Sequence, residues 1–364
     1  MPLTTVRTPH PSPLAVDERE VILAAPGFGQ HMTDHMLTME WSQESGWSDA
    51  SLQPYGPIQL DPAASVLHYA QEIFEGLKAY RHEDGSVWTF RPEKNAERLN
   101  ASARRMVLPE LPAEDFVESL RVLVEADEAW VPAFGDGEKS LYLRPFMFGS
   151  AAFLGLRPST RVRYSVIASP AESIFVGGPK PITLWISEGY ARAGAGGTGA
   201  AKCGGNYASA LAGQIEGSAN GCDQAVFLDS ATHTKVDELG GMNVFFVMRD
   251  GTLVTPELTG TILPGITRMS VLELAHEFGL RPVERAVPIQ EWRDGVVSSE
   301  VLEVFACGTA AIITPIGELR WAGGSAPSTA GEFGGEVTRG MRERLLSMQQ
   351  GRSEDTYGWM TRLV

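Results

Sequence analysis

The chain has 364 residues, too many for one average hydrophobic core, so two domains are expected. Its 43% hydrophobic and 21% charged residues suit a soluble globular protein, and a formal net charge of −15 excludes a general nucleic-acid or anionic-membrane surface. Three cysteines, Cys203, Cys222 and Cys307, form no CxxC pair; that suits a reducing cytoplasm and makes each a small buried hydrophobe rather than a redox centre.

Residues 1–20 read as a polar, proline-containing tail, partly disordered or packed on the surface, without the apolar core of a secretory signal. No apolar stretch is long enough to span a bilayer, and cytoplasmic location is expected. LKAYRHEDGSVWTF (77–90) reads as a hairpin around Asp84-Gly85, a favoured tight-turn pair. A helix over 91–106 follows, with Ala96, Leu99, Ala103 and Met106 on one stripe, and a second helix covers 113–129. YLRPFMFGS (142–150) and RVRYSVIAS (161–169) are strand-like, which makes 1–173 an α+β domain with an antiparallel sheet. The glycines and prolines near 177–181 mark 174–186 as a linker, and 187–364 is the second, larger domain. In it the pattern predicts a helix over 206–219, a buried strand over 224–229 and a hairpin over 242–256 around Asp250-Gly251. A helix over 267–279 follows, capped by Thr267 and Gly279.

Several stretches could carry chemistry. GAGGTGAAKCGGNY (194–207) isolates Lys202 among six glycines, which suits a flexible surface loop or a backbone that approaches a non-protein group. GTILPGITR (260–268) ends at a helix start, and FACGTAAIITP (305–315) is a second small-residue turn. Each is an ordinary turn or an anion cradle of backbone N–H groups. Glu238 and Arg98 read as a solvated turn acid and a surface charge, or as site residues, while Tyr142 and Arg144 alternate on a strand and share a face. His31 and His35 flank Asp34 but no third ligand follows, so no metal site is expected. No GxSxG elbow, Walker loop or Rossmann fingerprint occurs. One chemistry uses all these parts: a lone lysine for an aldehyde cofactor, a carboxylate for a pyridine nitrogen, and cradles for a phosphate. Those are the needs of pyridoxal 5'-phosphate.

FGQHMTDHMLTMEW, LHYAQEIFEGLKAY, FRPEKNAERLNASARRM, YLRPFMFGS, KCGGNYASAL, VDELGGMNVFFV, LPGITRMSVLELA and EVFACGTAAIITP occur in this order between residues 28 and 316. On these stretches the chain resembles the branched-chain amino-acid aminotransferases, pyridoxal-phosphate enzymes of fold type IV. The resemblance implies a two-domain α+β or α/β fold like that of D-amino-acid aminotransferase. The N-terminal domain would be the smaller one, and the cofactor would lie between the domains. It implies amino-group exchange between leucine, isoleucine or valine and 2-oxoglutarate, and a homodimer that binds neither nucleic acid nor membrane. Lys202 would join the cofactor aldehyde and shuttle the proton, and Glu238 would face the ring nitrogen. Tyr207 would bond the phenolic oxygen, and Arg98, Ile266, Thr267 and Thr309 would hold the phosphate. For the substrate, Ala310 and Ala311 N–H groups with Tyr142 would receive the carboxylate. Phe28, Tyr69, Phe74 and Tyr142 would line an apolar pocket, and Arg144 would help bind the γ-carboxylate of glutamate. The chain departs from vertebrate members in two ways: GTAAIIT lacks their CxxC, and Gly241 stands where they carry a threonine. Other fold-type-IV enzymes, a D-amino-acid aminotransferase or an aminodeoxychorismate lyase, share the lysine and glutamate, and a catalytically dead binding homologue is the alternative of another class.

Overall fold

The computed structural model describes residues 3–172, 180–327 and 334–364. The described parts of Met1–Ile174, Ala201–Gly204 and Ser347–Val364 form one compact unit, and those of Phe175–Ala200 and Gly205–Leu346 form a second.

The first unit is built on a ten-stranded sheet. Its main path runs Thr5–Arg7, Ala50–Pro54, His35–Ser42, Arg161–Ala171, Ser140–Gly149, Leu77–Arg81, Val87–Phe90 and Met360–Arg362. All pairings on that path are antiparallel except the first. The expected hairpin forms, with Ala79 opposite Thr89 and Gly85 in the turn at φ 86°. The helix Pro92–Met106 buries Ala96, Leu99 and Ala103 in one core with Phe116, Leu120 and Leu123 of the helix Ala113–Ala126. Each fully buried Leu or Phe there contributes about 1.5–3 kcal/mol, which is what makes a three-residue apolar stripe enough to seat a helix whose other face is charged.

Three expectations change here. Of the two readings of the tail, the packed one holds for residues 3–20, and with regular structure that was not expected: Thr5–Arg7 joins the sheet edge in parallel with Ala50–Leu52, and Val16–Ala24 is a helix. Backbone pairing, which needs no apolar side chains, is why composition hid it. The helix expected over 113–129 stops at Ala126 and is followed by a 3-10 turn at Glu128–Trp130, where the Trp130 indole N–H donates to Asp34 over 2.7 Å. Finally, Ser347–Val364 belongs to this unit and not to a second domain reaching 364, because Met360–Arg362 pairs with Trp88–Phe90.

The second unit carries a nine-stranded mixed sheet. Its main path runs Val236–Leu239, Gln224–Leu228, Ile182–Ser187, Ile312–Trp321, Val301–Gly308, Asn243–Met248, Thr252–Thr255 and Arg281–Glu284. The expected linker 174–186 is shortened by this sheet. Residues 173–179 lie outside the described residues, but Ile182–Ser187 is a central strand, parallel to both neighbours. Pro179 and Pro181 suggested a loop, whereas the apolar run after them is what a strand buried on both faces needs. The helix expected over 267–279 spans Ile266–Leu274 with a 3-10 extension Ala275–Phe278. Gly279 ends it in the left-handed region at φ 67°, as expected, but Gly265 and not Thr267 occupies the N-cap, and no side chain caps that end.

Candidate active site

Lys202 belongs to the first unit, and its own backbone is tied there. Its N–H donates to the Ser102 hydroxyl over 2.9 Å, its carbonyl accepts from the Phe74 N–H over 2.9 Å, and the following Gly204 N–H donates to Glu72. A Cβ on Gly204 would lie 2.4 Å from the Glu72 carboxylate, so glycine is required for that contact. The lysine Nζ stands 4.8 Å from the centroid of the Phe74 ring. Burial, first, and the Arg98 guanidinium, second, lower the ammonium pKa to about 8, with Glu75 opposing them. An amine of that pKa is a usable nucleophile and base near neutrality.

Arg98 projects from the helix Pro92–Met106 into the same cluster, only 7% exposed. Its Nε and Nη2 donate to the two oxygens of Glu75 over 2.8 and 2.7 Å, and Asn95, one turn earlier, also donates to Glu75 over 2.8 Å. The guanidinium is therefore held in a two-pronged grip rather than lying on the surface. Tyr142 and Arg144 share a face of Ser140–Gly149, with the Arg144 Nη2 donating to the Tyr142 hydroxyl over 3.0 Å. Arg144 also lies over the Phe74 ring at 4.9 Å, and Phe28 meets Tyr142 edge-on at 5.1 Å. Gly76 makes room for this tyrosine, since a Cβ there would fall 2.1 Å from its hydroxyl oxygen. Phe28, Phe74, Arg98, Tyr142, Arg144 and Lys202 thus come together within one unit. Tyr69 does not join them: it is 38% exposed, its hydroxyl donates to the Leu154 carbonyl, and its ring neighbours His68.

In the second unit Glu238 is 2% exposed on the strand Val236–Leu239 and is not a solvated turn acid. Its carboxylate accepts from Arg192 Nη1 over 2.8 Å, from the Asn243 amide over 2.9 Å and from the Leu263 N–H over 2.9 Å. Beside it, burial raises the Asp237 pKa to about 6 against the Thr261 hydroxyl, which lowers it. Tyr207 stands on the helix Gly204–Ala219 with its ring 5.8 Å from the Arg192 guanidinium. A Cβ on Gly241 would meet that ring at an ordinary 3.6 Å, so the missing threonine leaves no steric demand for glycine.

The glycine loop does not lie bare. Ala200 donates to the Gly260 carbonyl over 3.0 Å, and a Cβ on Gly199 would stand 2.3 Å from the Thr261 carbonyl oxygen. Gly199 thus serves an approach of the chain to its own backbone at 260–261. Gly265 makes room for a side chain instead, since a Cβ there would fall 2.1 Å from the Asn243 amide oxygen. Ile266 and Thr267 begin the nine-residue helix at that point, both buried, with no side-chain cap. The expected turn at Thr309, Ala310 and Ala311 closes the hairpin between Val301–Gly308 and Ile312–Trp321. Ile312 leaves it at φ 61°, a conformation that costs a β-branched residue free energy and is typical of functional loops.

Glu75, Ser102, Glu72, Asn243 and Arg192 were not singled out from sequence. The FEG and DEL stretches hold two of the carboxylates involved, but no spacing rule links them to arginines 23 and 46 residues away. His31 and His35 form no metal pair. His35 instead bonds Asp127 over 2.7 Å and accepts from the His10 N–H, and no metal-type cluster occurs among the described residues. All three cysteines are buried and unbridged, and burial raises the Cys307 and Cys222 thiol pKa values.

A half-buried lysine of lowered pKa in the first unit and, in the second, a fixed buried carboxylate and an uncapped helix N-terminus behind a glycine are each a group that pyridoxal-phosphate chemistry calls for. The pattern of the amino-transferase class IV family matches residues 72–319, and the chain belongs to that family. Among its relatives, the branched-chain-amino-acid aminotransferase of Mycolicibacterium smegmatis is 52% identical over all of this chain and 99% of its own length. The probable branched-chain-amino-acid aminotransferase of Streptomyces coelicolor is 52% identical over 98% of each chain. Of solved structures, the branched-chain amino acid aminotransferase of Thermobaculum terrenum in its PLP form is similar at a TM-score of 0.70 and 26% identity, covering 90% of this chain and 98% of that one.

Proposed function

We infer that the protein is a branched-chain-amino-acid transaminase that uses pyridoxal 5'-phosphate to exchange amino groups between L-leucine, L-isoleucine or L-valine and 2-oxoglutarate. The observation that carries this reading is the full-length 52% identity to branched-chain enzymes, joined to a lysine whose ammonium has a pKa of about 8. When bound, the cofactor supplies an aldehyde that takes up the amino group and a cationic ring that accepts the electron pair freed at the substrate's α-carbon.

The chain's own residues do the rest. Lys202 would hold the cofactor through its aldehyde, and its neutral Nζ would be the base that moves the proton at the substrate's α-carbon. Glu238, fixed by Arg192, Asn243 and Leu263, holds the ring nitrogen's proton by charge. Tyr207 bonds the phenolic oxygen. Arg98, the N–H groups of Ile266 and Thr267, the Thr267 hydroxyl and Thr309 hold the phosphate, and an uncapped helix N-terminus suits that dianion. The N–H groups of Ala310 and Ala311 with the Tyr142 hydroxyl take the substrate carboxylate. Phe28, Phe74 and Tyr142 offer apolar surface to an isobutyl-sized group. Arg144, stacked on two of those rings, offers a cation to a γ-carboxylate. Tyr69 and the segment Phe153–Leu156 belong in this reading to a homodimer contact. Both Leu154 and Leu156 are strongly exposed, at 65% and 85%, and apolar surface of that kind suits an interface. The reading places the reaction in the cytoplasm, where three buried, unbridged cysteines stay reduced. No helix among the described residues is long and apolar enough to cross a membrane.

The test is an assay with 2-oxoglutarate as amino acceptor. L-Leucine should yield glutamate and D-alanine should not; the reverse preference, or no turnover with a protein that carries cofactor, would overturn the reading. Borohydride should fix the cofactor to Lys202, and label recovered on Lys180 or Lys235 would remove Lys202 from its role. Sedimentation of an active monomer would remove the dimer.

A further inference from the structure

The Glu238 carboxylate is not simply buried; it is held by a buried cation to which the transaminase reading has so far given no part beyond fixing it. Arg192 is 3% exposed. Its Nη1 lies 2.8 Å from Glu238 Oε1 and also donates to the carbonyls of Thr261 and Gly199, over 3.2 and 3.4 Å. The arginine's own carbonyl accepts from the Ser209 hydroxyl over 2.6 Å, which fixes the backbone it springs from. One guanidinium thus joins the carboxylate, the glycine loop before Lys202 and the turn at Thr261 that precedes the helix Ile266–Leu274. Its Nε has no partner among the described residues, so the side chain is not placed to satisfy itself.

The donors around Glu238 explain the placement. Arg192, Asn243 and the Leu263 N–H all donate, and only an ionised carboxylate accepts from three donors without having to supply a proton of its own. Asn243 and Leu263 are neutral and would serve almost as well a carboxyl that had taken a proton on its remaining lone pair. The arginine charge is what distinguishes the two forms. It stabilises the anion at 2.8 Å in a buried setting, where charge is weakly screened.

We propose that Arg192 is a positioning residue that keeps Glu238 anionic against the cofactor's ring nitrogen, so that the proton between them stays on nitrogen. This rests on the transaminase reading and deepens it. Without the cation, Glu238 would be the better base, and the proton shared with a ring nitrogen would rest on its oxygen. No atom is gained or lost, but the ring becomes neutral and a poor acceptor of the substrate's electron pair. A lysine at this position would preserve the charge while losing the simultaneous reach to Thr261 and Gly199, so charge and geometry can be separated.

The experiment reconstitutes holoenzyme with cofactor carrying ¹⁵N in the ring and reads the nitrogen's chemical shift, which reports its protonation directly. Wild type and Arg192→Lys should give a protonated ring. Arg192→Gln should move the shift toward that of a neutral pyridine, in the same direction as Glu238→Gln, and lower kcat about 10²-fold with little change in KM. A ring as protonated in Arg192→Gln as in wild type overturns the proposal and leaves the transaminase reading intact. Wild-type protein that takes up no cofactor overturns both. If Arg192→Gln fails to fold, Arg192→Met takes its place: a ring shifted toward neutral supports the charge argument, and one as protonated as in wild type refutes it.

Discussion

Lys202→Met, studied in cofactor-free protein, isolates what the half-buried amine costs the fold. The folded pKa is about 8 against 10.5 for the free side chain. Below pH 8 the amine is protonated in both states, and the folded protein bears the whole net penalty of holding that charge away from water and near Arg98, about 3 kcal/mol. Between pH 8 and 10.5 the folded amine is neutral while the unfolded one still binds its proton. The unfolded state then holds more protons, so wild-type stability rises with pH through this window. Methionine has similar bulk and no charge, so the variant lacks this dependence. At pH 7 it should therefore be more stable than wild type by up to about 3 kcal/mol, and at about pH 9.5 the advantage should shrink by about 2 kcal/mol. Urea midpoints at both pH values, each referred to wild type at the same pH, give the comparison in which other groups cancel. An advantage that stays constant, or that grows with pH, would refute the assignment of a depressed lysine.

The remaining predictions concern the supports of the site. Glu75→Gln leaves Arg98 with a neutral partner, and breaking a pair this deep should destabilise the protein by about 3 kcal/mol; a midpoint change equivalent to under about 1 kcal/mol would mean the pair is solvated. Gly199→Ala places a Cβ 2.3 Å from backbone that cannot swing aside and should cost about 1–3 kcal/mol. Gly205→Ala, where a Cβ meets nothing within 4 Å on a helix, should gain about 0.5–1 kcal/mol, and equal effects at the two sites in thermal melts would contradict the contacts described. Mild peroxide should leave activity unchanged, because all three thiols are buried; loss that a thiol reverses would reveal pairing between Cys203 and Cys307.

What the sequence made legible follows from the range of the forces involved. The helix at 92–106 and both hairpins rest on apolar periodicity and on Asp-Gly turns, which are local, and they emerged within a residue or two. The edge strand Thr5–Arg7 and the strand Glu72–Phe74 are three residues each, too short for any alternation to register. Thr267 failed as a cap because Gly265 fits where a Cβ would strike Asn243, a contact between positions 22 residues apart. In the site, chemistry-bearing types could be named one by one, since lysine, glutamate and tyrosine announce themselves. Their partners could not, because an ion pair such as Glu75 with Arg98 joins a short strand's end to a helix.

The two units use one device in opposite senses. In each, a buried glutamate accepts from an arginine and from an asparagine: Glu75 from Arg98 and Asn95, and Glu238 from Arg192 and Asn243. Neither pair is a strong argument for stability, since desolvation offsets most of the attraction between buried ions. What a pair of this kind does secure is orientation at the moment a charged ligand arrives, with no reorganisation left to make. In the first unit the arginine is the group a phosphate would meet, and the glutamate aims it. In the second the glutamate is the group a ring nitrogen would meet, and the arginine aims it. Exchanging the supporting member for a neutral isostere should therefore weaken opposite functions. Glu75→Gln should chiefly loosen cofactor binding, read as a raised Kd in equilibrium dialysis. Arg192→Gln should chiefly slow turnover in protein that still carries cofactor. If both variants lost cofactor alike and neither changed kcat when saturated, the supports would be interchangeable packing and the division of labour between the pairs would be wrong.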